Sequence, residues 1–219
     1  MPYSIRLMCH EDIAQMVEID RDVYHSLGPQ ANYERELKNP IAHYIVACDN
    51  NRTATEVKTQ AMPKKGISLV INSIKGVFKR KNTPATRLLS TGTQYIVGFA
   101  GLWIMADEAH IINIAVREPY QQQGLGELLI ISAIDLARKL KSKTVTLEVR
   151  ASNTAAQALY HKYGFNEVGL RRNYYVDKKE DAILMSTEDI NSALFQSQFQ
   201  RLKQAHSKKL GIARHWSVR

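Results

Sequence analysis

The stretch that most constrains this chain is "GLGELLIISAIDLARKL", Gly124 to Leu140. From Glu127 onward, Leu128, Ile131, Ile134, Leu136 and Leu140 give a helical run with an apolar surface nearly all round. Such a helix must be covered on most of its faces. The β-branched run "HIINIAV" (110–116) precedes it and "KTVTLEV" (143–149) follows it. Both read as strands. The chain therefore needs a sheet that this helix can cover, with a glycine turn feeding the helix from the strand before it.

The remaining elements fall into the same scheme. "SIRLM" is a short first strand, Glu11 to Tyr24 repeats apolar residues at helical spacing, and "NYERELKN" is a short helix before Pro40. "HYIVACD" and "QYIVGFAGLWI" are strands; "NEVGLRRNYYV" and "DAILMST" make a late antiparallel pair. A helix from Thr154 to Tyr163 is opened by Ser152 and Asn153 and closed by Gly164. The order β-α-α-β-β-β-α-β-α-β-β predicts an α/β fold, a mixed central β-sheet with helices on both faces.

The net charge of +9 is unevenly spread. Between Asn51 and Gln94 nine basic residues face the single acid Glu56, and from Ile190 onward six basic residues meet none, which leaves the body at −5. The basic insertion is too long for an ordinary connection. It carries Ile67, Val70, Ile74 and Phe78 on one helical face ahead of Lys79-Arg80-Lys81. That pattern fits either a helix packed on the domain or a basic amphipathic helix contacting RNA or a membrane surface. The tail, with Leu194, Phe195, Phe199 and Leu202, reads as a helix docked on the body. No stretch reaches the roughly 18 apolar residues of a membrane span, and Cys9 and Cys48 lack metal-ligand or disulfide-framework spacing. The expectation is a cytoplasmic protein without a metal.

A glycine turn between strand and helix points to a phosphate, because the free N–H groups of a helix N-terminus bind anions. A dinucleotide-binding turn fails, since Leu129 stands where its third glycine belongs and seven residues separate Val116 from Gly124. A P-loop fails because no Gly-Lys-Ser/Thr follows. A diphosphate held by backbone N–H groups remains. Downstream, Glu148 ends a strand, and Asn153, Gln157 and Tyr160 share one face of the next helix. A carboxylate, an amide and a phenol can thus converge on the same cleft as the glycine turn, although a surface charge, a helix cap and a core aromatic are the plainer readings of each. The seven histidines are scattered and read as structural or surface residues.

With these residues in view, "NIAVREPYQQQGLG" resembles motif A of the GCN5-related N-acetyltransferases (GNAT), with Gln121, Gly124 and Gly126 at its marked positions. "LEVRASNTAAQALYHKYGF" and "RRNYYVDKKEDAILM" resemble the RimI-type members, which acetylate the N-terminal alanine of ribosomal protein bS18. The similarity runs from about Phe99 to Met185 and weakly from Tyr3 to Cys48. It implies a GNAT fold over 1–188, with the 51–93 insertion inside it and 189–219 as a basic C-terminal helical extension. It also implies acetyl-CoA as donor in a ternary complex, lined by backbone groups of Ile114, Ala115 and Val116. The diphosphate would lie on the N–H groups of Gln122, Gln123, Gly124, Leu125, Gly126 and Glu127, with Asn153 on the cofactor. Glu148 would be the general base, Tyr160 the general acid, and Tyr174 and Tyr175 would wall the peptide groove.

The chemistry suits those roles. An α-amine, of pKa about 7.7–8.0, needs only modest help to become a nucleophile, and a phenol of pKa about 10 can protonate a leaving thiolate. An acidic body attracts a basic protein N-terminus. The insertion and tail depart from the compact family pattern, and "YHSLGPQANYERELKNP" lacks the family's Pro-Trp-Ser acceptor signature. The alternatives are therefore acetyl transfer to lysine or small amines, and an acetyl-CoA-binding regulator without turnover.

Overall fold

The computed structural model describes residues 2–24, 31–54 and 94–211. Seven strands form one sheet: β1 (Tyr3–Leu7), β2 (Ala42–Thr53), β3 (Gln94–Met105), β4 (Glu108–Val116), β5 (Thr144–Arg150), β6 (Phe165–Tyr175) and β7 (Glu180–Thr187). The spatial order is β1-β2-β3-β4-β5-β7-β6. Every neighbouring pair is antiparallel except β4 with β5. The mixed sheet is the expected one, although β2 continues four residues past Asp49, to Thr53. The expected amphipathic helix of the insertion, with its RNA or membrane contact, lies outside the described residues.

Helices cover both faces because the central strands are apolar on both. Along β2, Ile45 and Ala47 enter one core while Tyr44, Val46 and Cys48 enter the other, as strand alternation requires. The first core is built on α3 (Leu125–Lys139), whose Leu128, Leu129, Ile130, Ile131, Ala133 and Ile134 are all at most 1% exposed. The second takes Met16 and Ile19 from α1 (Ile13–Tyr24) and Tyr33 from the short α2 (Tyr33–Glu36). The helix α4 (Thr154–Lys162) packs beside β6, and α5 (Ala193–Leu210) joins the α3 side through Phe199.

The feature that positions the site is a fault in the sheet. Parallel pairing of β4 with β5 ends at Ile111 and Leu147. At the same point β4 carries an extra residue against β3: Gly101 faces Asn113 and Leu102 faces Ile111, so Ile112 is bulged. A bulge bends its strand. Beyond it β4 stays with β3 as far as Val116, while β5 stays with β7 as far as Arg150. The two halves of the sheet part, and a wedge opens between them.

The β3 side of this wedge leaves no spare room. A Cβ at Gly98 would stand 2.6 Å from the Ala115 carbonyl oxygen and 3.2 Å from Val116 Cγ2. Backbone cannot step aside as a side-chain tip can, so Gly98→Ala is expected to cost about 1–3 kcal/mol. Urea unfolding checks this: the midpoint falls while the slope is kept.

Candidate active site

The wedge forms a cleft of about 460 Å³. Ile111 to Ile114 of β4 line one wall, and Leu147 to Arg150 of β5 the other. Asn153, Tyr160, Tyr174, Tyr175, Asp20, Tyr24 and Ala31 complete it. Glu148, Asn153, Tyr160, Tyr174, Tyr175 and Ile114, all singled out from sequence, are thus brought together. Gln157 is not, because its amide donates to the carbonyls of Arg150 and Ala151 and is spent on the loop.

Glu148 is the first residue of β5 beyond the last pair with β4, and its side chain is only 7% exposed. One carboxylate oxygen lies 2.8 Å from His110 Nε2 and the other 3.0 Å from an Arg171 nitrogen. A buried carboxylate requires such partners, and each oxygen keeps a second lone-pair direction. His110 Nδ1 is 2.8 Å from Thr146 Oγ1, which donates to Glu108 at 2.7 Å. Thr146 thus links His110 to Glu108, and His110 links that pair to Glu148. Sequence reading missed both His110 and Arg171. The only signal for His110 was that it shares a pair of adjacent strands with Glu148, and finding it needed their register.

Tyr160 packs on Phe165 with ring centroids 5.8 Å apart. Burial, and then nearby Tyr175, push its hydroxyl up to about 12. Tyr174 and Tyr175 meet edge to face at 5.1 Å. Tyr175 takes the Arg150 guanidinium over its ring at 4.0 Å and donates to the Glu148 carbonyl at 3.4 Å. Asn153 is a helix cap, its side-chain oxygen accepting from Ala156 N–H at 3.1 Å, which leaves its amide nitrogen as the group it can offer the cleft. Across the wedge, the Tyr24 hydroxyl donates to the Ile114 carbonyl at 2.7 Å and accepts from the Ile114 N–H at 3.1 Å. Ala115 and Val116 bury their side chains in opposite cores, so only their backbone is left for a ligand.

The glycine turn stands past the C-terminal end of β4 and does not line this cleft. A short 3-10 turn, Glu118–Tyr120, leads into it. Gln121 folds back to donate to the Val116 carbonyl at 3.0 Å, and Gln123 to that of Pro119 at 2.8 Å. Gln122 (φ 57°) and Gly124 (φ 86°) both adopt left-handed backbone, which Gly124 does without steric cost. Gly124 is the N-cap of α3, so the N–H groups of Leu125, Gly126 and Glu127 are the first-turn donors that lack helical acceptors. The Glu127 carboxylate turns away to Tyr163 Oη, 2.6 Å, and Lys162. Burial pushes its pKa up, but those two partners outweigh burial and hold it below the usual value. A diphosphate there would meet backbone donors, with the Glu127 carboxylate already paired.

No helix among the described residues is long and apolar enough to cross a membrane, and none of their His, Cys, Asp and Glu residues cluster as a metal site. The acetyltransferase (GNAT) family model matches residues 72–165. A provisionally named ribosomal protein bS18-alanine N-acetyltransferase of Bacillus subtilis (strain 168) is 32% identical over 183 residues, 83% of this chain and 93% of that protein. The ribosomal protein bS18-alanine N-acetyltransferase of Escherichia coli (strain K12) is 50% identical over 93 residues, 42% of this chain and 63% of its own length. The crystal structure of the ribosomal-protein-S18-alanine N-acetyltransferase from Escherichia coli superposes with a TM-score of 0.61 at 27% identity, covering 85% of this chain and 94% of that one. The chain belongs to the acetyltransferase (GNAT) family and is RimI-like within it.

Proposed function

We propose that this enzyme acetylates a protein N-terminus, that of ribosomal protein bS18, with acetyl-CoA as donor. The observation that carries the reading is the buried Glu148 carboxylate at the point where β4 and β5 part, in one cleft with the Tyr160 hydroxyl. The acceptor follows from the relatives' named substrate and from the acidic residues Asp20 and Glu148 in the cleft.

Acetyl-CoA supplies the acetyl group as an activated thioester. The residues present fit it: a wedge lined by strand backbone at Ile114, and beyond it a helix N-terminus with a left-handed glycine and a first-turn carboxylate, Glu127, already paired. The backbone of Ile114, Ala115 and Val116 would hold the acyl arm, the N–H groups from Gln122 to Glu127 the diphosphate, and Asn153 the cofactor through its amide nitrogen. With the Tyr24 hydroxyl displaced, the Ile114 N–H would also be the donor for charge developing on the carbonyl oxygen. Glu148, steadied by His110 and Arg171, takes the proton of the attacking amine directly or through one water. Tyr160 gives its proton to the departing sulfur. Tyr174 and Tyr175 form the aromatic wall against which the acceptor peptide lies.

The first test is intact-mass detection of acetylation on a peptide copying the bS18 N-terminus, beside the same peptide with its α-amine blocked. A single acetyl on the free peptide alone is expected. Equal labelling of both would assign the activity to lysine, and labelling of neither would turn it toward small amines. Glu148→Gln is expected to lower kcat by roughly 10²-fold or more and leave the acetyl-CoA dissociation constant within about twofold; an equal loss of both would contradict the base.

The pH profile has a definite sign. The rate should rise through the α-amine's range, about 7.7–8.0, as the amine loses its proton. Tyr160, raised to about 12, keeps its proton well above the usual tyrosine range. The rate should therefore hold level to about pH 10.5, past the ordinary phenol value of about 10. A fall centred near pH 9.5 that persists in Tyr160→Phe, with the fold intact by circular dichroism, would remove Tyr160 as the acid.

A further inference from the structure

The C-terminal helix α5 follows the stretch that carries the family resemblance, yet it reaches the glycine turn. Ser192 caps its start by accepting from Phe195 N–H, and Gly211 ends it at φ 63°. Phe199, Lys203, His206 and Leu210 recur at i, i+4, i+7 and i+11, one face of the helix. Phe199 is 2% exposed and meets Tyr163 edge to face at 6.3 Å, and Lys203 pairs with Asp135 of α3. At the far end His206, also 2% exposed, places Nε2 2.9 Å from the Gly124 carbonyl oxygen. His206 Nε2 and Leu210 are the nearest atoms to where a Gly124 side chain would stand.

The Gly124 carbonyl accepts twice, from His206 and from Leu128 N–H at 2.9 Å. The peptide unit is planar, so holding this carbonyl also holds the Leu125 N–H on its opposite side. Leu125 N–H is the first of the open donors of α3. Glycine imposes little restriction of its own on φ and ψ, so the aim of this donor rests on what holds the carbonyl: Leu128 N–H from within α3 and His206 from outside it. His206 Nε2–H holds it from a buried, packed side chain.

We infer that His206 is a positioning residue for the diphosphate of acetyl-CoA, and that α5 is a working part of the cofactor site. The inference rests on the acetyl-CoA reading above. The test compares full-length wild type with His206→Phe, which fills the space without a donor, and His206→Gln, which returns an N–H. Three quantities are read for each: the acetyl-CoA dissociation constant by calorimetry, kcat and KM for transfer, and KM for S-acetylpantetheine, a donor without diphosphate or nucleotide.

His206→Phe is expected to weaken acetyl-CoA roughly tenfold, with the loss in KM and not in kcat. The truncated donor should be used as by wild type, and His206→Gln should recover most of the affinity. Unchanged acetyl-CoA affinity in His206→Phe, or an equal loss on the truncated donor, would overturn the role. Should the phenylalanine prevent folding, seen in the melting curve, His206→Leu on the same readouts decides. Wild type that binds no acetyl-CoA would instead overturn the cofactor reading and this inference with it.

Discussion

Everything at this site depends on one constraint: a sheet must keep its backbone hydrogen bonds paired, and here two parallel neighbours stop pairing part-way along. The bulge at Ile112 turns β4 aside just where its pairing with β5 ends. Neither strand is abandoned, since β3 and β7 continue to hold their outer edges. Only the two inner edges are released, and they face each other across the cleft. A ligand with amides along its length can lie against such an edge as an added strand would. The fold thus makes a binding slot from main chain and leaves side chains free for chemistry.

Electrostatics then decides what the slot can do. A carboxylate as buried as Glu148 is tolerated only with partners, and it has one on each oxygen, His110 from β4 and Arg171 from β6. His110 comes from the paired end of β4 and Arg171 from the β6 side, so the charge network ties Glu148 to both halves of the sheet where they begin to part. Thr146 and Glu108 extend it back into the paired part of the sheet. The rotamer of the proposed base is therefore fixed by groups on three strands, which is the kind of support a reacting group requires.

Local patterns made most of this fold legible. The all-round apolar run in α3, the β-branched strands and the Asn153 cap and Gly164 stop of α4 each state their element within a few residues, and the motif residues marked the turn. What escaped the sequence depended on register or on distant packing. His110 and Glu148 are 38 positions apart and meet only because β4 and β5 pair in parallel as far as the bulge. His206 reaches Gly124 across 82 positions through the docking of α5. Scattered histidines carry no period, so composition classed both as ordinary. Asn153 shows the converse, since the plain cap reading is correct and its place in the cleft is compatible with it.

The edges released by the split also need partners when no ligand is present, because unpaired buried backbone groups are costly. On β4, the Tyr24 hydroxyl satisfies both the N–H and the carbonyl of Ile114. On β5, the Tyr175 hydroxyl donates to the carbonyl of Glu148. A phenol suits this place, since it donates and accepts at the end of a rigid apolar ring. An acyl arm that pairs with Ile114 must displace the Tyr24 hydroxyl, so its entry exchanges hydrogen bonds and does not merely add them. The net gain per exchanged bond is then small, and affinity for the donor has to come from elsewhere along its length. On the proposed donor site, that places the weight of donor binding on the diphosphate end, where backbone N–H groups at the α3 N-terminus would meet a full negative charge. A helix docked behind that turn, as α5 is through His206, would therefore bear on donor affinity and not on the chemistry in the cleft.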